Sequence, residues 1–285
     1  VRIDELGWSV YGDSYEDGVV VAKEEGYRFP FLYDGDTQTT TIAYGAQATP
    51  HAFLLDKERV IRYTGRLDDM KRKPGKPKKN YIAEAIDSVL KGEAPDPATT
   101  RAVGCSTKWK SKRSMVAKFN EQWKAQEVTL ADMDVEEAAK VRKNASGNLR
   151  LINFWSTTCA PCLQEFPDLV QNYRRYQTRP FDFISISLDI PESRDRALTF
   201  LTKQQASLSK FTKPSLEEEK RESNNYIYTG TNPDKLAEAI DPKWSGALPY
   251  SILINADGDI IYRHEGEIDP LELRRAIIKE FDKQL

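Results

Sequence analysis

From Glu127 to the end of the chain, short apolar runs of strand length alternate with stretches whose apolar residues recur at helical spacing. Glu127–Leu130 reads as a short strand, and Val135–Val141 as an amphipathic helix that Asp132 and Asp134 can cap. Leu149–Phe154 is a central strand, and Leu163–Val170 the helix after it. Phe181–Leu188 is the next strand and Arg194–Gln204 another helix. The polar stretch from Ser207 to Lys235 is less regular and predicts loop with a short strand at Tyr226–Tyr228. A strand–helix–strand crossover followed by a hairpin and a helix predicts a mixed α/β sheet.

That closing hairpin has an earlier copy. Thr49-Pro50-His51-Ala52-Phe53-Leu54-Leu55-Asp56 is echoed by Leu248-Pro249-Tyr250-Ser251-Ile252-Leu253-Ile254-Asn255. Each is a proline followed by an apolar strand ending at an Asp or Asn turn. A second strand follows in both, Val60–Asp68 and Ile260–Asp269, and in the later copy Ala256-Asp257-Gly258-Asp259 supplies turn chemistry. Helical stretches complete both copies at Tyr81–Leu90 and Leu271–Ile278. Two copies of one hairpin-plus-helix unit imply two related domains.

Composition sets outer limits on function. With 39% hydrophobic and 30% charged residues the chain reads as globular, and a net charge of −2 argues against broad nucleic-acid binding. No run of about eighteen apolar residues is present, so no membrane span is predicted. No charged start followed by an apolar stretch marks a signal peptide. The chain opens on Val1 rather than Met, however, and its silence on targeting carries little weight.

Chemistry concentrates at Cys159-Ala160-Pro161-Cys162, which follows the strand Leu149–Phe154 and opens the helix beyond it. A cysteine at the first turn of a helix faces unpaired backbone N–H groups and the positive end of the dipole, which lower its pKa. Two thiols so spaced can close and open a small disulfide with little backbone movement. The expected chemistry is reversible thiol–disulfide exchange. A zinc site is the competing reading of a Cys-x-x-Cys, but zinc needs about four ligands at short spacings. The remaining candidates, Cys105, His51 and His264, are all distant in sequence. A buried structural disulfide is the other alternative. Three cysteines in 285 residues do not make a disulfide scaffold.

Residues 127–285 resemble thioredoxin-fold domains of the TlpA/ResA type. The resemblance is carried by Asn153-Phe154-Trp155 ahead of the cysteines, by Glu165-Phe166-Pro167 after them, and by Trp244-Ser245-Gly246-Ala247-Leu248-Pro249. Residues 1–105 resemble the later half of a peroxiredoxin-like thioredoxin domain. Phe29-Pro30-Phe31-Leu32-Tyr33-Asp34, Ala43-Tyr44-Gly45-Ala46, Thr49-Pro50-His51 and Gly104-Cys105-Ser106-Thr107-Lys108-Trp109 carry that match. Such domains begin with a strand, a cysteine-bearing turn, a helix and a second strand, and nothing before Gly12 is long enough to hold them. A fragment lacking its upstream half is the preferred expectation, and a degenerate half-fold the alternative. The expected architecture is therefore a thioredoxin fold, a central mixed sheet flanked by helices, preceded by a partial second thioredoxin-like unit. Residues 106–126 are read as a basic linker, and Lys71–Lys79 as a solvated charged loop.

The resemblance assigns roles residue by residue. Cys159, Cys162 and Glu165 are the expected catalytic residues, with Cys159 attacking and Cys162 resolving. Ordinary thioredoxins carry a buried Asp where this chain has Asn153, which cannot ionise, so Glu165 becomes the proton-handling candidate, with a solvated helix-face charge as the alternative. Trp155, Ala160, Pro161, Leu248 and Pro249 are the expected substrate contacts. In resembling domains the proline matching Pro249 is cis, and the backbone before it pairs with an extended substrate segment. Thr158 stands where many relatives have Trp, which bears on the substrate surface but not on the chemistry. Cys105 is expected to be structural.

The implied activity is a thiol–disulfide oxidoreductase that takes a protein disulfide as substrate and an upstream thiol as electron donor, more readily as reductant. No metal or organic cofactor is implied, because the thiols themselves carry the electrons. An extracytoplasmic bacterial setting, periplasm or cell envelope, accompanies the resemblance. Two other classes stay open: a thiol peroxidase, and a non-enzymatic thioredoxin-like interaction module.

Overall fold

The computed structural model describes residues 14–35, 37–70, 76–107, 109 and 113–283. The residues before Ser14, Lys71–Gly75 of the charged loop, and Lys108 and Lys110–Lys112 of the basic run lie outside the described residues. The chain divides into two compact units, one spanning Tyr27–Ser114 and the other combining the N-terminal segment through Gly26 with the residues from Met115 onward.

Helix α1 (Tyr15–Glu24) opens the larger unit. It starts at a capping box in which the Ser14 hydroxyl accepts the Asp17 N–H while the Asp17 carboxylate accepts the Ser14 N–H. An ion pair between Glu24 and Arg275 at 2.5 Å ties its end to the C-terminal region.

The smaller unit contains α2 (Thr39–Ala43), β1 (Ala48–Thr49), β2 (Ala52–Leu55), β3 (Ile61–Gly65), α3 (Tyr81–Leu90) and β4 (Cys105–Ser106). Strands β2 and β3 form an antiparallel hairpin with Phe53 opposite Thr64, and β1 pairs antiparallel with β4 so that Thr49 faces Cys105. Tyr63 is buried here, its hydroxyl donating to the Arg66 carbonyl at 2.6 Å. Gly65 has φ +149°, and a side chain there would meet Thr100 at once. The hairpin-plus-helix order predicted for the first copy is present.

In the larger unit, α4 (Arg113–Lys124) covers the second half of the expected linker and ends within the core, because Trp123 is buried and its indole N–H donates to the Gln205 carbonyl at 2.9 Å. There follow β5 (Ala131–Met133), α5 (Val135–Lys143), β6 (Leu149–Trp155), α6 (Ala160–Tyr176), β7 (Phe181–Ser187), α7 (Arg194–Lys203), α8 (Lys213–Glu219), β8 (Asn225–Tyr228), α9 (Pro233–Ile240), β9 (Tyr250–Ile254), β10 (Ile260–Glu265) and α10 (Pro270–Lys283). The strands make one six-stranded sheet in the order β10-β9-β6-β7-β8-β5. Strands β6, β7, β8 and β5 run parallel, while β9 and β10 are antiparallel to their neighbours.

The pleat explains the two cores. Leu149, Leu151 and Trp155 of β6 pack on one face with Phe166, Leu169 and Tyr173 of α6 and with Ile277 of α10. Ile152 and Phe154 pack on the other with Val141 of α5 and Leu236 of α9. Both faces of β6 and β7 are fully covered, which is why these strands read as near-continuous apolar runs.

Three expectations shift. The strand placed at Glu127–Leu130 lies at β5 instead, since the ladder to β8 begins only where Ala131 faces Tyr226. Asp134 alone caps α5, accepting the Glu137 N–H at 2.8 Å, while Asp132 is engaged by Arg194. The polar stretch after Ser207 holds a short helix, α8, and the start of another, α9.

Candidate active site

Strand β6 ends at Trp155, a turn of Ser156, Thr157 and Thr158 follows, and Cys159 becomes the N-cap of α6. Cys159 has extended backbone geometry and its sulfur accepts the Cys162 N–H at 3.3 Å. Cys159 and Cys162 are joined in a disulfide of 1.96 Å, with their Cα atoms 5.3 Å apart. Cys159 is half-buried and Cys162 is fully buried, so only the first sulfur lies on the side open to a partner. Ala160 is exposed and Pro161 half-exposed beside it.

Sheet register brings two further segments to this end of β6. On one side Phe154 pairs with Tyr250, so Pro249 stands level with Trp155 just before β9 begins. The Leu248–Pro249 peptide is cis, Leu248 is half-buried, and Pro249 is buried. Trp244 stacks on Tyr250 with ring centres 5.0 Å apart and donates its indole N–H to the Ala247 carbonyl at 2.9 Å, which shapes the approach to Leu248. On the other side Trp155 pairs with Ser187, so the residues following β7 stand beside the cysteine turn.

Trp155 needs correction as a substrate contact. Its parity on β6 turns the ring inward, where Phe166 of α6 and Phe200 of α7 enclose it, and it is fully buried. It supports the cysteine helix from beneath and offers no surface to a partner. Trp244 is a core residue as well.

Glu165 is 3% exposed, and the solvated-face alternative therefore fails. Its carboxylate accepts the Asn153 amide N–H at 2.8 Å on one oxygen and the Ile268 backbone N–H at 2.8 Å on the other. Burial pushes its pKa up to about 7, the two hydrogen bonds oppose this, and the neighbouring charge of Glu267 adds to the rise. Asn153 sits on the same face of β6 as Leu151 and Trp155 and also donates to the Ser251 hydroxyl at 3.0 Å. The position where thioredoxins carry an acid thus holds the amide that binds one.

The structure brings together Cys159, Cys162, Ala160, Pro161, Leu248 and Pro249 at the ends of the strands, with Glu165 buried one turn below the cysteines. Cys105 is an exposed free thiol of β4, in the smaller unit. Sequence reasoning passed over Asp189, two residues beyond β7, which is buried and binds the turn ahead of Cys159. The sequence shows an Asp at the end of the apolar run Phe181–Leu188, but nothing in it ties that Asp to the cysteine turn.

The redoxin family model matches residues 120–277, more than half of the chain. The chain belongs to the redoxin family. Both cysteines, Glu165, Asp189 and Pro249 fall inside the matched span, and the sheet with its flanking helices is the thioredoxin-like fold of this redoxin. Among solved structures, it is similar to a putative thiol:disulfide interchange protein DsbE from Chlorobium tepidum, at 21% identity over 48% of this chain and 82% of that one, with a TM-score of 0.36. It is also similar to a thioredoxin-related protein from Neisseria meningitidis serogroup B, at 23% identity over 48% and 87% of the two chains, with a TM-score of 0.37. StoA from Bacillus subtilis matches at 17% identity over 46% and 83%, with a TM-score of 0.31. Comparison with curated proteins finds no match. Among the described residues, no helix of this redoxin is long and apolar enough to cross a membrane.

Proposed function

We propose that this redoxin is a thiol–disulfide oxidoreductase that exchanges electrons with protein disulfides through Cys159 and Cys162. The observation that carries the reading is the closed Cys159–Cys162 disulfide at the N-terminus of α6, with one sulfur half-exposed and the other buried. A thiolate at that helix end gains from the free N–H groups and the dipole, which favours the first cysteine as the attacking group.

In the reducing direction, the Cys159 thiolate attacks one sulfur of a substrate disulfide. A bond forms between Cys159 and that sulfur, the substrate S–S bond breaks, and the departing substrate thiolate takes up a proton. Cys162, once deprotonated, then attacks the Cys159 sulfur, closing the internal disulfide and releasing the second substrate thiolate. Two electrons have passed from the Cys159–Cys162 dithiol to the substrate, and an upstream dithiol donor restores them. Glu165 is the proposed store for the Cys162 proton, because its buried carboxyl titrates near neutrality. Ala160, Pro161, Leu248 and Pro249 form the proposed contact surface, with the Leu248 backbone pairing to an extended substrate segment.

The TlpA/ResA resemblance supports the reducing direction and an extracytoplasmic bacterial setting. It also supports reading Tyr27–Ser114 as the later half of a second, peroxiredoxin-like unit. The test is the reduction potential of the cysteine pair, read by thiol alkylation and mass spectrometry across a series of dithiol buffers. A reversible two-electron couple near or below about −250 mV is expected, against about −270 mV for thioredoxin. A value near about −120 mV reverses the direction, and no reversible couple removes the enzyme reading.

A further inference from the structure

The geometry points to Asp189 as a positioning residue for Cys159, holding the turn that presents the attacking sulfur. Asp189 is 6% exposed and sits just beyond β7, level with the turn that follows β6. Its Oδ1 accepts the Ser156 hydroxyl at 3.0 Å and the Thr157 hydroxyl at 2.6 Å, and the Thr157 N–H reaches Oδ1 at 3.1 Å and Oδ2 at 2.9 Å. Oδ2 also accepts the Ser187 hydroxyl at 2.7 Å. All these donors are neutral, so the side chain acts as a multidentate acceptor and not as half of an ion pair.

The grip passes to the cysteine in two steps. Ser156, with its hydroxyl hydrogen given to Asp189, accepts the Thr158 N–H on that oxygen at 3.3 Å. The Ser156 carbonyl then accepts the Cys159 N–H at 3.1 Å, which fixes the backbone from which the sulfur projects. Without the carboxylate, the hydroxyls of Ser156, Thr157 and Ser187 and the Thr157 N–H lose an acceptor. The turn keeps the 3.0 Å contact between the Ser156 and Thr158 hydroxyls, which does not tie it to β7. Burial raises the Asp189 pKa, but the hydrogen bonds from Thr157, Ser187 and Ser156 outweigh it and leave the group below the ordinary carboxylate range. The acceptor therefore stays ionised wherever thiol exchange runs.

The inference rests on the proposed thiol exchange, yet its test does not need turnover. The protein is reduced, and the alkylation of Cys159 by iodoacetamide is followed by peptide mass spectrometry across pH, beside thermal unfolding of the same samples. Asp189→Ala is expected to slow Cys159 alkylation by about tenfold and to change its pH profile, as loss of a defined geometry does. Asp189→Asn, which keeps the shape and one acceptor oxygen, is expected to recover part of the rate. A folded Asp189→Ala variant with the wild-type alkylation rate and pH profile overturns the proposal, whatever its melting temperature. Should Asp189→Ala fail to fold, Thr157→Val and Ser156→Ala each remove one donor to the same acceptor. Either is expected to slow alkylation about threefold, from the loss of one hydrogen bond of modest worth, and wild-type rates in both overturn it. If the wild-type protein alkylates normally but never exchanges with a protein disulfide, the oxidoreductase reading fails and the positioning role stands.

Discussion

Asn153 donates an amide N–H to Glu165 at 2.8 Å, while the Asn153 carbonyl oxygen, also buried, has no partner. This pairing suits an acid that changes state. An ionised Glu165 takes the N–H. A protonated Glu165 has an O–H to place, and a rotated Asn153 amide offers its oxygen to receive it, with the Ser251 hydroxyl able to donate or accept in either orientation. A carboxylate at residue 153 would face Glu165 as a like charge instead.

Glu165→Gln should change stability in a direction set by pH. Glu165 ionises at about 7 in the folded chain against an ordinary 4.5, so at pH 4 it is neutral in both states and contributes no difference. Between those values the unfolded chain sheds a proton that the folded one keeps, and stability falls as pH rises, by up to about 3 kcal/mol. Above about 7 the folded group ionises too and the loss levels off. Glutamine keeps an acceptor for Ile268 and gives Asn153 an N–H to receive. Its melting temperature is therefore expected to match wild type at pH 4 and exceed it at pH 8. The same variant is expected to shift the pH dependence of thiol reactivity, and an unchanged profile removes Glu165 from the proposed proton path.

Cys162→Ser should leave attack by Cys159 intact and stop resolution. The expected product with a protein disulfide is a trapped mixed disulfide on Cys159, visible on a non-reducing gel and released by dithiol. Cys159→Ser should give neither adduct nor turnover. Normal turnover by the Cys162 variant would mean that resolution comes from elsewhere.

Far from the disulfide, Arg150 and Asp182 at the start of β6 and β7 close a network of four buried charges with Glu219 and Arg221 at the end of α8. Arg150 reaches Asp182 at 3.0 Å and Glu219 at 2.5 Å, while Arg221 reaches Asp182 at 2.6 Å and Glu219 at 2.7 Å. Burial raises the Glu219 pKa, but the two arginines, Arg150 foremost, more than offset this and hold it below the usual range. Arg150→Met leaves two buried carboxylates sharing one cation, and should cost about 3–5 kcal/mol in urea unfolding at pH 7. The reduction potential of the folded variant is expected to stay at the wild-type value, since the network lies at the opposite end of β6.

Much of the fold was legible because burial is two-sided at its centre. β6 and β7 are covered on both faces, so their apolar runs announced strands within a residue or two. The Asp257-Gly258 turn announced the last hairpin, and Gly258 does take a positive φ of 86°. α8 buries Ser215 and Leu216 and leaves no period to read, whereas α9 does space Leu236, Ala237 and Ile240 at helical intervals but straddles the end of the polar stretch. Trp123 shows a different limit. Its indole is seated in the core of the larger unit, but among the lysines and arginines of that stretch nothing sets it apart from Trp109 and Phe119.

At the site, the cysteines were legible from spacing alone, whereas the rest depended on which way side chains point. Trp155 was taken for a surface contact because it lies next to the cysteine turn, yet strand parity directs it inward. Asp189 was invisible for the opposite reason. It lies 32 residues from Thr157 in the turn it binds, and only the parallel pairing of β6 with β7 brings the two together.

The charge quartet and the disulfide lie toward opposite ends of β6. At the base, Asp182 and Glu219 each pair with both Arg150 and Arg221 inside the core. At the rim, the Cys159–Cys162 bond spans only the first turn of α6, a covalent link that chemistry can sever and remake. A frame anchored so firmly at its foot lets the upper edge change its bonding without a general loosening, and the division of labour between rigidity and reactivity runs along the length of one strand.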